Sequence, residues 1–112
     1  MIAKAILPDL FAGMNKTEKL FAFSLEAQQR QGIVHSWMYE RVTLKLGDDC
    51  RYTPDFFVIL PDGQITIYET KGAFIREDAR VKLRAAAEMF PFRFILAQYK
   101  KKVWTAWEIK RA

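Results

Sequence analysis

The stretch Arg51-Tyr-Thr-Pro-Asp-Phe-Phe-Val-Ile-Leu-Pro-Asp-Gly-Gln-Ile-Thr-Ile-Tyr-Glu-Thr-Lys71, followed by Gly72, decides how the rest of the chain is read. Tyr52 to Leu60 is aromatic and β-branched, Pro61-Asp62-Gly63 is a turn signal, and Gln64 to Lys71 alternates apolar and polar residues. That pattern predicts two strands joined by a tight turn. Side chains two apart on a strand share a face, so Asp55 goes with Phe57 and Ile59, and Ile65, Ile67, Glu69 and Lys71 go together. A three-residue loop of Pro61, Asp62 and Gly63 sets Leu60 opposite Gln64 and, counting outward, Asp55 opposite Glu69. Directly opposed Cβ atoms lie roughly 4.5–5.5 Å apart, and like charges there are destabilising. A divalent metal held by oxygen ligands would relieve that repulsion. Taken singly, each piece has a plainer reading: an Asp on a strand faces solvent, and Glu-x-Lys is a surface charge pair. The joint pattern, with Asp55 behind Pro54 and among apolar residues, favours a site.

Pro54-Asp55, thirteen intervening residues and then Glu69-Thr70-Lys71 resembles the signature of the PD-(D/E)xK nuclease superfamily. The run from Asn15-Lys16-Thr17-Glu18 through Tyr52-Thr-Pro-Asp-Phe and Glu-Thr-Lys-Gly to Pro91-Phe92-Arg93-Phe94 is similar to small phage-encoded endonucleases of that superfamily. Some of their relatives resolve branched DNA such as Holliday junctions. The resemblance spans roughly residues 15 to 98. It implies a restriction-endonuclease-like α/β core, Mg2+ as cofactor with Mn2+ as substitute, and DNA as substrate. Asp55 and Glu69 would be direct metal ligands, helped by the Thr70 carbonyl. Lys71 would orient the attacking water or stabilise charge on the phosphoryl oxygens. Members often add a Glu from the first helix, and Glu18 is the matching position; its other reading is the acid of a capping box. Glu26, two helical turns further on and roughly 80° around the axis, is the weaker candidate.

One domain of 112 residues, 51% hydrophobic with nine Phe and three Trp, is enough for a modest packed core and argues against disorder. A short arm is expected over residues 1–14 and the nuclease-like domain over 15–112. Cys50 is the only cysteine, which excludes an intrachain disulfide and a Cys-based metal site and fits the reducing cytoplasm of a bacterium or phage-infected host. No run approaches the ~18 apolar residues of a membrane span, and Met1 to Met14 lacks the h-region of a signal peptide. The net charge of +5 is uneven: residues 1–70 carry seven Lys/Arg against nine Asp/Glu, and residues 71–112 carry eleven against four. Basic groups around an acidic metal pocket suit the cutting of a polyanion, although basic excess also serves solubility.

In chain order, Asn15 is an N-cap and Asn15-Lys16-Thr17-Glu18 a capping box for a helix over Lys16 to Gln31, with Leu20, Phe21, Phe23, Leu25 and Ala27 as its apolar face and Gly32 as its stop. Ile33 to Leu46 reads as one extended strand, with a bend allowed. Gly47-Asp48-Asp49 is a turn, whose acids are better explained by turn chemistry than as metal ligands. After the hairpin, a helix begins near Glu77 and Asp78 and buries Ala79, Leu83, Ala86, Ala87 and Phe90, until Pro91 ends it. Arg76, Arg80 and Arg84 form a basic stripe with Lys82 to one side; these and Lys16 are the candidate DNA contacts. Strands follow over Phe92 to Gln98 and Val103 to Ile109, around a basic turn. The order αβββαββ implies an α/β domain with a mixed sheet flanked by helices. His35, between Val34 and Ser36, is read as structural.

Two functions fit. The first is a magnesium-dependent DNA endonuclease that hydrolyses phosphodiester bonds. So little chain lies outside the core that recognition of branched DNA by shape is favoured over sequence reading. The second is a non-catalytic nucleic-acid-binding module on the same fold. A homodimer, with Trp37, Trp104 and Trp107 as interface or core residues, would serve symmetric cutting.

Overall fold

In the computed structural model, which describes residues 9–111, a capping box opens helix α1 (Lys16–Arg30). Asn15 Oδ1 accepts from the Glu18 N–H at 2.8 Å, and Glu18 Oε1 accepts from the Asn15 N–H at 2.8 Å. Gln31 caps the other end, and Gly32 follows at φ 78, a left-handed conformation in which a Cβ would be strained. Part of the expected arm, residues 1–8, lies outside the described residues. Asp9 anchors a turn that leads to the buried Met14.

The buried side of α1 differs from the expected face. Glu18, Ala22 and Leu25, at i, i+4 and i+7, are buried, whereas Leu20 and Phe23 are exposed and Phe23 stacks on Phe11. A helix repeats every 3.6 residues, so positions 20, 21, 23, 25 and 27 cannot all share one side. The spacing puts an acid, Glu18, on the side that packs inward.

The remaining elements are β1 (Ser36–Tyr39), β2 (Leu44–Gly47), β3 (Cys50–Tyr52), β4 (Phe56–Ile59), β5 (Ile65–Lys71), α2 (Glu77–Met89), β6 (Arg93–Lys100) and β7 (Val103–Glu108). Five strands form a mixed sheet in the order β1-β4-β5-β6-β7, with β5 and β6 parallel and the other neighbours antiparallel. On one face Phe56 and Val58 pack with Ala22 and Leu25 of α1. On the other, Ile67, Phe94 and Leu96 pack with Leu83, Ala86 and Ala87 of α2 and with Leu44 and Tyr52 of the small β2–β3 sheet. This is an α/β architecture, with the mixed sheet between two helices.

The β4–β5 register is the expected one. Phe56 pairs with Tyr68 and Ile59 with Ile65. Leu60 N–H donates to the Gln64 carbonyl across a three-residue loop, with Gly63 at φ 88 in the left-handed position such loops require.

The main sheet and its helices keep the expected order αβββαββ, but two expected strands are each broken in two, and the pieces cut off, β2 and β3, form a separate small sheet. The stretch from Ile33 to Leu46 stops at Glu40, whose φ of 49 is left-handed, and resumes as β2 on the α2 side of the sheet. The first hairpin strand breaks at Thr53-Pro54-Asp55, so that β3 pairs with β2 and not with the main sheet. The two breaks lie side by side, joined by a 2.7 Å hydrogen bond between the Thr43 and Thr53 hydroxyls. Phe90, just before Pro91, is extended and ends α2. Strand β6 runs on to Lys100, and the turn into β7 is Lys101-Lys102, both at positive φ.

Leu83 has no exposed surface and Val81, on the same helix, is 57% exposed. Leu83→Ala should lower the unfolding free energy by about 2–5 kcal/mol, and Val81→Ala by about 0.5 kcal/mol or less. Urea denaturation monitored by circular dichroism measures both, and equal effects would contradict this packing of α2.

Candidate metal centre at the end of strands β4 and β5

The site grows from the break before β4. Leu60 bonds Gln64, so alternate pairs along the hairpin are hydrogen-bonded ones, and continuing outward brings Thr70 opposite residue 54. That residue is a fully buried proline, which has no N–H to give. The half of the ladder pair that would reach the Thr70 carbonyl therefore cannot form, and the Thr70 N–H goes to the Asp55 side chain and not to the backbone of residue 54. Asp55 Oδ2 accepts from the Thr70 N–H at 2.8 Å and from the Thr70 hydroxyl at 3.0 Å. The N–H and C=O of a strand residue point to the same side, so the Thr70 carbonyl faces this same gap.

Glu69 closes the gap from above. Its Oε1 accepts from the Asp55 N–H at 3.2 Å, which fixes Asp55 and Glu69 as the opposed pair of the hairpin. Lys71, two residues on, is half-buried and has no ion pair among the described residues; its ammonium acts on Glu69 through space. From the other face, α1 delivers Glu18. Oxygens of Glu18, Glu40 and Asp55 all lie within 4.8 Å of one another. Glu18 thus caps its own helix and also stands beside Asp55, and the Tyr39 hydroxyl donates to its Oε1 at 2.9 Å. A Cβ added at Gly72, just past β5, would lie 3.8 Å from Thr17 Oγ1, so the start of α1 runs close to the site.

Asp55, Glu69 and Glu18 keep only 9%, 6% and 8% of their surface exposed, too little for water to solvate three charges. Burial raises the Asp55 carboxyl, and the Thr70 donors offset part of that rise. Burial, and then the Asp55 charge beside it, pushes Glu69 up to about 8, against a smaller opposing pull from Lys71. The donors gathered here are all oxygens, a set that suits Mg2+ or Mn2+ and not a soft metal. One more buried polar atom is out of balance. The Tyr52 hydroxyl has no hydrogen-bond partner among the described residues. It and Glu69 nonetheless influence each other's titration, although their geometry falls short of a hydrogen bond. An unmatched buried hydroxyl costs about 1–3 kcal/mol.

The structure sets Asp55 against Glu69 and Thr70, with Lys71 adjoining, and brings Glu18 beside Asp55. Among the described residues, the carboxylates whose oxygens lie within one ion's reach of one another are Glu18, Glu40 and Asp55, without Glu69. The basic candidates do not form part of this cluster. Lys16 is exposed at the start of α1, and Arg76 at the N-cap of α2. Arg80 and Arg84 line a groove with Leu96, Trp107 and Lys110. Lys82 donates to the Arg51 carbonyl at 3.4 Å. Glu26 accepts from Trp37 Nε1 at 2.8 Å, and His35 is exposed beside Ser36, so both stand outside the cluster. Asp48 and Asp49 form the exposed β2–β3 turn. Trp37 packs on Phe56 and is half-buried, whereas Trp104 and Trp107 remain exposed on the edge strand. Sequence reasoning missed Tyr39, Glu40 and Tyr52. Only Tyr52 carried a signal, as the aromatic opening Tyr-Thr-Pro-Asp; Glu40 joins through a break that tertiary packing imposes.

The folded protein holds the Glu69 proton more tightly than the unfolded chain, so this group's contribution to stability is full below pH 4.5 and is lost as pH rises to about 8. In EDTA, Glu69→Gln should therefore melt above wild type at pH 8, and the gap should narrow towards pH 5. Scanning calorimetry across that range checks it; a gap that widens on acidification contradicts the buried pair.

No described helix is long and apolar enough to cross a membrane. No family model matches the chain, and no curated protein matches it significantly. Among solved proteins, the crystal structure of SSO0001 is similar at a TM-score of 0.45 and 12% identity, over 83% of this chain. This chain spans 50% of the length of that one, and a likeness at this level carries no argument for function.

Proposed function

We propose that the protein is a metal-dependent DNA endonuclease of the PD-(D/E)xK type, using Mg2+ or, in its place, Mn2+. The observation that supports this reading is the opposition of two buried carboxylates, Asp55 and Glu69, at a strand end where Lys71, without an ion pair among the described residues, adjoins them. A divalent ion in such a site makes a water nucleophilic and neutralises charge on a phosphoryl oxygen. Asp55 and Glu69 would hold it, with the Thr70 carbonyl as a third donor and Glu18 beside them. The Thr70 N–H and hydroxyl lock the Asp55 rotamer from behind. The Lys71 ammonium donates to the charge that builds on the non-bridging oxygens and keeps the attacking water aligned. Lys16, Arg76, Arg80, Lys82 and Arg84 neutralise backbone phosphates. Selectivity for branched DNA follows from the resemblance to junction-resolving nucleases, and a twofold dimer would give each strand its own active site.

Cleavage of linear, nicked and four-way DNA in Mg2+, Mn2+ and EDTA tests the reading. Asp55→Asn and Glu69→Gln should abolish cutting and remain folded. Lys71→Ala should slow it by about 10²–10³. All three should still bind DNA. If wild type cuts no substrate in either metal, or if the three variants cut normally, a non-catalytic binding module takes the enzyme's place.

DNA binding itself should weaken steeply as salt rises, because each neutralised phosphate releases counterions. An Arg80→Ala/Arg84→Ala double variant should bind less tightly and with a shallower salt slope. Fluorescence anisotropy over a salt series measures both, and an unchanged slope would remove the two arginines from the interface.

A further inference from the structure

Tyr52 stands on β3, outside the main sheet, with 5% of its surface exposed. Its ring belongs to the core that contains Ile67 and Leu83. A phenylalanine would fill that core equally well without leaving a hydroxyl unmatched. The hydroxyl is buried and has no partner among the described residues, and its ring packs in the same cluster as Ile67, which shares its face of β5 with Glu69. The Glu69 carboxylate spends one oxygen on the long contact to the Asp55 N–H.

We propose that Tyr52 is a positioning residue for the nuclease site, whose hydroxyl donates to the Glu69 carboxylate once a divalent cation is bound. The inference rests on the endonuclease reading and adds a residue to it. With a cation bound, Glu69 is ionised and one of its oxygens is committed to the ligand set. The second oxygen is then an acceptor in a dry pocket, where an unpaired acceptor is unfavourable. Tyr52 Oη is the buried donor that has no other use. Its hydrogen bond would fix the rotation of the carboxylate, and with it the alignment of Glu69 to Asp55 and Lys71. Groups that hold a metal ligand in this way change metal affinity by about 10–100-fold when they are removed.

The experiment compares wild type with Tyr52→Phe, using Ca2+ alone as the binding probe and Mg2+ for turnover. In EDTA the variant should melt at or above the wild-type temperature, because it loses only an unmatched hydroxyl. The Ca2+ concentration that gives half of the cation-induced rise in melting temperature should increase about tenfold. At saturating DNA, kcat in Mg2+ should fall, with KM for DNA unchanged. Equal Ca2+ midpoints and equal kcat in the two proteins overturn the role of Tyr52 and leave the endonuclease reading intact. A fall in the EDTA melting temperature together with the Ca2+ response marks a core residue only, and also overturns it. If wild type neither gains stability from Ca2+ nor cuts DNA, the endonuclease reading itself fails and takes this inference with it.

Discussion

Pro54 stands where a residue with an amide would carry the β4–β5 ladder on to Thr70, and because it has no N–H the ladder stops. The consequences are local and connected. The chain before Pro54 leaves the main sheet and pairs with β2 under α2. At the strand end the Thr70 carbonyl lacks the amide that residue 54 would have offered, and the Thr70 N–H donates to the Asp55 side chain. Asp55 is thereby turned into the gap beside Glu69, and α1 reaches the same place with Glu18. A continuous strand would have had no opening at this point. Pro54 removes one bond of the ladder, and the two Thr70 donors orient the first carboxylate.

What this arrangement does electrostatically follows from burial more than from distance. A carboxylate pair on a wet surface is a minor matter, because water screens it. Here the pair is enclosed, and one member is driven towards its neutral form. Asp55 has two donors from Thr70 and is the better prepared to carry charge. Glu69 has a long contact to an amide, an unmatched tyrosine nearby, and a lysine that acts only through space. The buried carboxylates and the unmatched hydroxyl leave this one spot frustrated, and local frustration of this kind is common where function is traded against stability.

Much of this was legible in the residues, because it depended on short-range rules. Turn chemistry at Pro61-Asp62-Gly63 sets the register, and the register alone sets Asp55 against Glu69. Asn15 and Glu18 announce the helix start three residues apart, and Pro91 announces the end of α2. The failures have a common cause. Leu20 and Phe23 are apolar but outward, since hydrophobicity does not reveal which way a helix is rotated until its partner is known. Glu40 and the breaks at residues 40–43 and 53–55 are set by where the chain must cross the sheet, and no local propensity encodes that. Tyr52 looked like strand filler because a hydroxyl's lack of a partner is a three-dimensional fact.

The hairpin that carries Asp55 and Glu69 is also a local β pairing, second in the main sheet only to β6–β7 with its two-residue turn. Its strands are joined by a three-residue loop, whereas β5 meets β6 only after the chain has passed through α2. Closing a short loop loses less chain entropy than closing a long one, so during folding the hairpin is the easier pairing to nucleate. The two acids consequently meet before the parallel strand and its helix are in place. At that stage the pair is still wet, and its repulsion is screened. Desolvation comes later, when the rest of the fold encloses the pair. The electrostatic burden of the site is thus shifted away from the nucleation barrier and onto this later packing, where the rest of the hydrophobic core is being completed at the same time.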